Sequence, residues 1–211
     1  MKIGVDEAGR GSVIGPLVVC SFASVSQTDL IELGVKDSKH LSKKKREELY
    51  HILVKMPHNI IICNPERIDN SQNLNQLEVE LFAESLSVMP EGEIMLDACD
   101  VDAERFARNV SNLSKRDCNA EHKADENYPE VSAASIIAKV TRDNCVKQLS
   151  QDLDMDLGSG YPSDPKTKAA VKILCMGNYP HDCLRWSWKT VSDARGTPSP
   201  PRPGGPQQTL F

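Results

Sequence analysis

Apolar residues fall into short blocks separated by glycine, proline and charge, and strand-like and helix-like spacings alternate along the chain. Residues 2–5 and 16–23 are apolar and rich in strand-favouring types, and the glycine-rich stretch between them predicts a hairpin. Leu41, Leu49, Ile52, Leu53 and Met56 recur at helical spacing, with Ser42 placed to cap the helix start. Asn-Ile-Ile-Ile-Cys at 59–63 predicts a buried strand closed by Asn64-Pro65. Leu74, Leu77, Leu81, Phe82 and Leu86 mark a second helix, ended by Pro90. Residues 94–96 form a short strand that runs directly into Asp97, and Phe106 and Val110 suggest a helix after it. Ala133, Ile136, Ile137, Val140 and Asn144 carry a helical stripe through 132–149, and 167–176 is a further helix stopped by Gly177. This order predicts an α/β domain: a mixed β-sheet flanked by helices, with a C-terminal helical extension.

The character changes near Asp193. Five of the thirteen prolines fall in 198–206 among glycines, a composition that cannot bury apolar surface. The expected division is therefore a domain over 1–192 and a disordered tail over 193–211. At 211 residues the chain suffices for one sizeable core. No apolar run approaches the roughly 20 residues of a membrane span, and a basic-then-apolar leader is not evident at the start, so a cytoplasmic protein that avoids membranes is expected. The seven cysteines are widely spaced with no C-x-x-C pair, which suits reduced packing residues. Net charge is −5, unfavourable for phosphate binding taken alone. Yet Lys36, Lys39, Lys43, Lys44, Lys45 and Arg46 cluster, and Lys139, Arg142 and Lys147 share a helix. A locally basic groove on an acidic protein is thus possible, and the 43–46 run equally suits a solvated helix face.

Asp6 and Glu7 sit side by side where the first strand gives way to Gly9-Arg10-Gly11. Alone, such a pair reads as a solvated acidic turn. Three further observations alter that reading. Glycines surround the pair, Asp97 follows a second strand, and Asp125 precedes a long helix. Carboxylates at neighbouring strand ends and a helix entrance could converge. Without a nearby His or Cys, four carboxylates suit Mg²⁺ or Mn²⁺. Two such ions can activate water at a phosphodiester. Asp100 and Asp102 are equally acidic, and only proximity to the strand ranks Asp97 above them.

The motif Gly4-Val-Asp-Glu-Ala-Gly-Arg-Gly-Ser-Val-Ile-Gly-Pro-Leu-Val-Val resembles the opening signature of the type 2 ribonucleases H (ribonuclease HII). The likeness continues through Val35-Lys-Asp-Ser-Lys-His-Leu-Ser, Leu96-Asp-Ala and Lys123-Ala-Asp-Glu-Asn-Tyr-Pro-Glu-Val-Ser-Ala-Ala-Ser-Ile-Ile-Ala-Lys-Val-Thr-Arg-Asp. It also takes in Gly158-Ser-Gly-Tyr-Pro-Ser-Asp-Pro-Lys-Thr and Arg185-Trp-Ser-Trp-Lys. It spans about residues 2–190 and is similar to the archaeal branch. The resemblance implies an RNase H-like fold and endonucleolytic cleavage of RNA in RNA–DNA hybrids. It also implies incision 5′ of ribonucleotides embedded in DNA, leaving 5′-phosphate and 3′-hydroxyl ends. Asp6, Glu7, Asp97 and Asp125 would be the catalytic, metal-binding carboxylates. Gly9, Arg10 and Gly11 would read the sugar at the DNA–RNA junction, Tyr161 would stack on the deoxyribose past it, and Lys39 would contact phosphate. His40 stands where the family frequently has lysine.

Elementary chemistry is compatible with these roles. Glycines at 9 and 11 allow positive φ and close approach to a sugar. Only the 2′-OH separates a ribonucleotide from a deoxynucleotide, and a tyrosine offers both ring and hydroxyl. Outside the resemblance, Tyr161 equally suits a turn, and Arg10 and Lys39 suit solvated surface. Trp186 and Trp188 read as packing residues. Gln207-Gln-Thr-Leu210-Phe211 is similar to a short sliding-clamp-binding motif at the end of a flexible tether, though a single aromatic directly after the leucine departs from the fuller pattern. A monomer is expected. Rival readings are an RNase H-like nuclease acting on DNA, a non-catalytic hybrid-binding protein tethered to a clamp, and a metal-free carboxylate hydrolase.

Overall fold

A computed structural model describes residues 1–35 and 41–202. Lys39, Gln207, Leu210 and Phe211 lie outside the described residues. The strands are β1 (Lys2–Ala8), β2 (Leu17–Ser24), β3 (His58–Cys63), β4 (Glu93–Asp97) and β5 (Cys118–Glu121). The helices among the described residues are α1 (Gln27–Glu32), α2 (Lys43–Leu53), α3 (Pro65–Asp69), α4 (Leu74–Leu86), α5 (Ala103–Ser114), α6 (Ala124–Asn127), α7 (Pro129–Asp152), α8 (Pro165–Leu174) and α9 (Lys189–Arg195). They fall into two compact units. Among the described residues, one comprises those of 1–8, 18–62 and 73–141; the other comprises those of 9–17, 63–72 and 142–202.

The first unit is built on a mixed five-stranded sheet in the order β3-β2-β1-β4-β5. β1 and β2 form the expected antiparallel hairpin, while β1–β4 and β4–β5 are parallel. A parallel pair needs a crossover, and α5 supplies it between β4 and β5. Every residue of β2 is buried, as in a sheet covered on both faces. Val18, Cys20 and Phe22 pack on one face with Leu49 and Leu53 of α2 and with Ala133, Ile136, Ile137 and Val140 of α7. On the other face the Ser21 hydroxyl donates to the Ser85 carbonyl of α4 at 2.7 Å. Phe82 of α4 meets Phe106 of α5 edge-on at 5.0 Å.

Local chemistry sets most boundaries. Ser42 accepts from the Lys45 N–H and caps α2 as its spacing predicts. Three differences have physical reasons. β1 runs on to Ala8 because Asp6, Glu7 and Ala8 pair with Cys20, Val19 and Val18 of β2. The strand thus contains both carboxylates instead of ending before them. β5, Cys-Asn-Ala-Glu, has no apolar run to announce it and owes its form to pairing with β4. Short α1 is also absent from the periodicity, and Ser26 caps it.

In the second unit Val13, Ile14, Val146, Leu157, Val171, Leu174, Leu184, Trp186 and Val191 share a core. The indole of Trp186 is buried and donates to the His181 carbonyl, so it is a packing residue. The expected onset of the tail at Asp193 falls inside α9, and the chain remains anchored beyond it. Arg202 is buried, donates to Asp69 Oδ2 at 2.7 Å and lies 4.5 Å over the Trp186 ring. Composition overlooks this because one arginine with a buried carboxylate partner can dock a segment that has no apolar mass. Among the described residues no helix is long and apolar enough to cross a membrane.

Gly4 lets β1 lie directly against the start of α7: a Cβ there would sit 2.2 Å from the Val131 nitrogen. Backbone cannot yield as a side-chain tip can. Gly4→Ala is expected to cost about 3 kcal/mol, read as a lower urea midpoint; an unchanged midpoint would show that strand and helix are not so closely packed.

Candidate metal centre

Register places the first two carboxylates. β1 and β4 pair in parallel with Val5 opposite Leu96, so the next residue on each strand is an aspartate, Asp6 and Asp97. Adjacent strands lie about 4.8 Å apart, close enough for both carboxylates to reach one point. β5 continues the sheet with Glu121 opposite Asp97. From there the chain turns through Lys123, in the left-handed region at φ 59°, into α6, whose first turn carries Asp125. The Ala124 N–H donates to Asp97 Oδ1 at 3.0 Å and ties that turn to β4.

Asp6, Asp97 and Asp125 each offer an oxygen within 4.8 Å of the others. Asp6 and Asp125 are buried, and Asp97 is partly exposed. Burial pushes the Asp6 carboxyl above the ordinary range. Lys139, the Ser135 hydroxyl and the Glu7 N–H, which donates to Asp6 Oδ1 at 2.7 Å, oppose that rise, while Asp125 adds to it. Ser135 and Lys139 are one helical turn apart on α7 and therefore share a face. The Lys139 ammonium lies 3.8 Å from Asp125 Oδ2. Asp100 and Asp102 are accounted for otherwise. Asp102 caps α5, and Asp100 pairs with Arg105, which holds its carboxyl below the ordinary range.

Glu7 falls outside the tight triple. β1 extends through Glu7, and the Glu7 carboxyl stays within hydrogen-bonding reach of the Asp6 side chain. It comes under the influence of Glu78 on α4 as well as Asp6 and Asp97. Burial first, then these charges, raises its carboxyl well above the ordinary range. Its Oε2 is buried with no hydrogen-bond partner among the described residues. A set of oxygen donors, partly buried and crowded with like charge, fits a hard divalent cation.

Gly9, Arg10, Gly11 and Tyr161 belong to the second unit. Gly9 has φ +90° and so needs glycine, whereas Gly11 lacks positive φ and has open space where a Cβ would go. Arg185, wholly buried, holds this turn by its backbone: it donates to the carbonyls of Gly9 at 2.6 Å, Arg10 at 2.8 Å and Gly15 at 3.2 Å. Burial, and the nearby Arg142, bring its pKa down to about 10. Trp188 lies beneath the same guanidinium in a packing role. Tyr161 is partly exposed and rests on the guanidinium of Arg142. Arg142 is itself buried. Sequence reasoning missed Ser135, Glu78 and Arg185. The spacing of Ser135 and Lys139 was a visible signal; the partners of Glu78 and Arg185 are distant in sequence and gave none.

The family model described as Ribonuclease HII matches residues 3–191. The ribonuclease HII of Methanocella arvoryzae is 46% identical over 200 residues, covering 89% of this chain and 88% of that protein. Among solved structures, the chain is similar to the ribonuclease HII of a PCNA complex from Archaeoglobus fulgidus, with a TM-score of 0.85 and 41% identity. It is also similar to ribonuclease H2 from Pyrococcus horikoshii, with 0.84 and 38%. Both cover 92% of this chain and 97% of the other.

Raised carboxyl pKa values mean that the metal-free fold binds protons more tightly than the unfolded chain does. Their contribution to stability is complete below the ordinary carboxylate range and is lost as pH rises through the raised values. Asp6→Asn is therefore expected to raise the melting temperature in EDTA at neutral pH by about 3 °C and to flatten its pH dependence. Mn²⁺ should stabilise the unaltered protein and not this variant. A lower melting temperature for the variant in EDTA would contradict the electrostatic account.

Proposed function

The chain belongs to the ribonuclease HII family, and from that membership we propose how its own residues carry out the reaction. It is a ribonuclease H, a metal-dependent endonuclease and hydrolase. Asp6, Asp97 and Asp125, with Glu7 beside them, hold the divalent ions, Mg²⁺ or Mn²⁺. The observation that carries this reading is the meeting of three aspartate oxygen sets within 4.8 Å. Bound there, the ions supply an activated water and offset charge on the phosphate and leaving oxygen. The protein's part is orientation: the Glu7 N–H holds Asp6, and the Ala124 N–H holds Asp97. Lys139 limits the repulsion among the carboxylates before substrate arrives.

The substrate is an RNA–DNA hybrid or a DNA duplex carrying a ribonucleotide, cut on the 5′ side of the ribonucleotide to leave 5′-phosphate and 3′-hydroxyl ends. Gly9, Arg10 and Gly11 read the sugar with backbone groups that Arg185 keeps in place. Tyr161 stacks on the deoxyribose past the junction, and Lys39 contacts phosphate. The relative from Archaeoglobus fulgidus is in a complex with PCNA, which supports assigning Gln207, Leu210 and Phe211 to a sliding clamp. Seven free cysteines suit a reducing cytoplasm.

A DNA duplex carrying one ribonucleotide should be cut with Mg²⁺ or Mn²⁺ and left intact with chelator, and an all-DNA control should stay whole. Asp97→Asn should lower kcat by at least about a thousandfold while hybrid binding persists. Near-full activity of that variant would sink the assignment. Cutting of the all-DNA control would favour the DNA-nuclease rival, and binding without turnover would favour a non-catalytic protein.

A further inference from the structure

Arg142 and Arg185 are the bulkiest wholly buried side chains among the described residues. A guanidinium withdrawn from water needs partners. Arg185 has three backbone carbonyls. Arg142 has far less. Its Nη1 donates to Asp143 Oδ1 at 3.2 Å, and that carboxylate is exposed. Nε and Nη2 are buried with no hydrogen-bond partner among the described residues.

Its surroundings explain what it does there. The guanidinium carbon lies 4.5 Å from the centroid of the Tyr161 ring, the geometry of a cation–π pair. Two glycines close in around it. A Cβ on Gly160 would fall 2.5 Å from Nη2, and one on Gly9 would fall 3.2 Å from Cγ and 3.4 Å from Nε. The main chain leading to Tyr161 is pinned separately: Val13 and Ile14 donate to the Gly160 carbonyl, and the Gly160 N–H donates to the Thr167 hydroxyl. One flat cation thus supports the Tyr161 ring and packs against the Gly9 backbone. A methionine would fill similar space without stranding donors, so packing alone gives no reason for a charge here.

We propose that Arg142 is a positioning residue. It sets the tilt of the Tyr161 ring and its spacing from the Gly9 turn, and so sets how well the protein recognises a lone ribonucleotide at a DNA junction. This rests on the reading of Tyr161 as the sugar-stacking side chain.

The test is a double-mutant cycle on two substrates, a DNA duplex with one ribonucleotide and a uniform RNA–DNA hybrid. Arg142→Met should lower kcat/KM on the single-ribonucleotide duplex about tenfold and on the hybrid by clearly less. Its melting temperature should not fall, since a poorly partnered buried charge is removed. Arg142→Lys keeps charge without a stacking plane and should behave like Arg142→Met. In a Tyr161→Ala background Arg142→Met should change nothing further. Additive losses in the double variant, equal losses on both substrates, or full activity of Arg142→Lys would each overturn the proposal. If Tyr161→Ala itself is silent, the reading of Tyr161 fails and takes the proposal with it. If Tyr161→Ala matters and Arg142→Met does not, only the role of Arg142 fails.

Discussion

The parallel register of β1 and β4 is the constraint on which the candidate metal centre depends. Val5 opposite Leu96 sends both strands into an aspartate at the same level of the sheet. A slip of one residue would turn Asp6 or Asp97 to the opposite face. The register is protected by what surrounds β1. Gly4 admits the backbone of α7, and β2 pairs with β1 along its whole length. Buried apolar faces on both sides of the sheet make any other alignment costly.

That precision creates an electrostatic conflict. Burial first, and then like charge from neighbouring carboxylates, Asp125 for Asp6 and Asp6, Glu78 and Asp97 for Glu7, makes Asp6 and Glu7 hold their protons more tightly. The first unit relieves the conflict only in part. Lys139 and Ser135 favour ionised Asp6, while Glu78 adds repulsion to Glu7. Partial relief is what a cation site requires. Full neutralisation by fixed lysines would leave nothing for a divalent ion to gain.

The second unit solves a different problem, that of holding a glycine turn still. Glycine costs conformational entropy, so a turn such as Gly9-Arg10-Gly11 needs outside fixation. Arg185 provides it through carbonyls, and Arg142 packs beneath Gly9 and Tyr161. An acidic chain of net charge −5 thus keeps two cations buried and poorly screened by salt.

The hairpin, the α2 cap, the long helix and all three clustered aspartates were legible from periodicity, turn residues and motif, because strand pairing and capping act over a few residues or along a clear apolar pattern. β5 was not, since its four residues gain their form from a neighbour. Composition did not show how the chain is held past Asp193, because Arg202 finds its carboxylate at Asp69, far away in sequence. That the Glu7 carboxyl would fall outside the tight aspartate triple was also closed to sequence reasoning while β1 was taken to stop at Val5. Sequence by itself determined the element types and the kinds of side chain available for chemistry. Only tertiary structure decided that Glu7 lies just outside the tight aspartate triple and that Arg142 and Arg185 lie inside. Those outcomes depend on strand length and on distant partners, which local pattern does not encode.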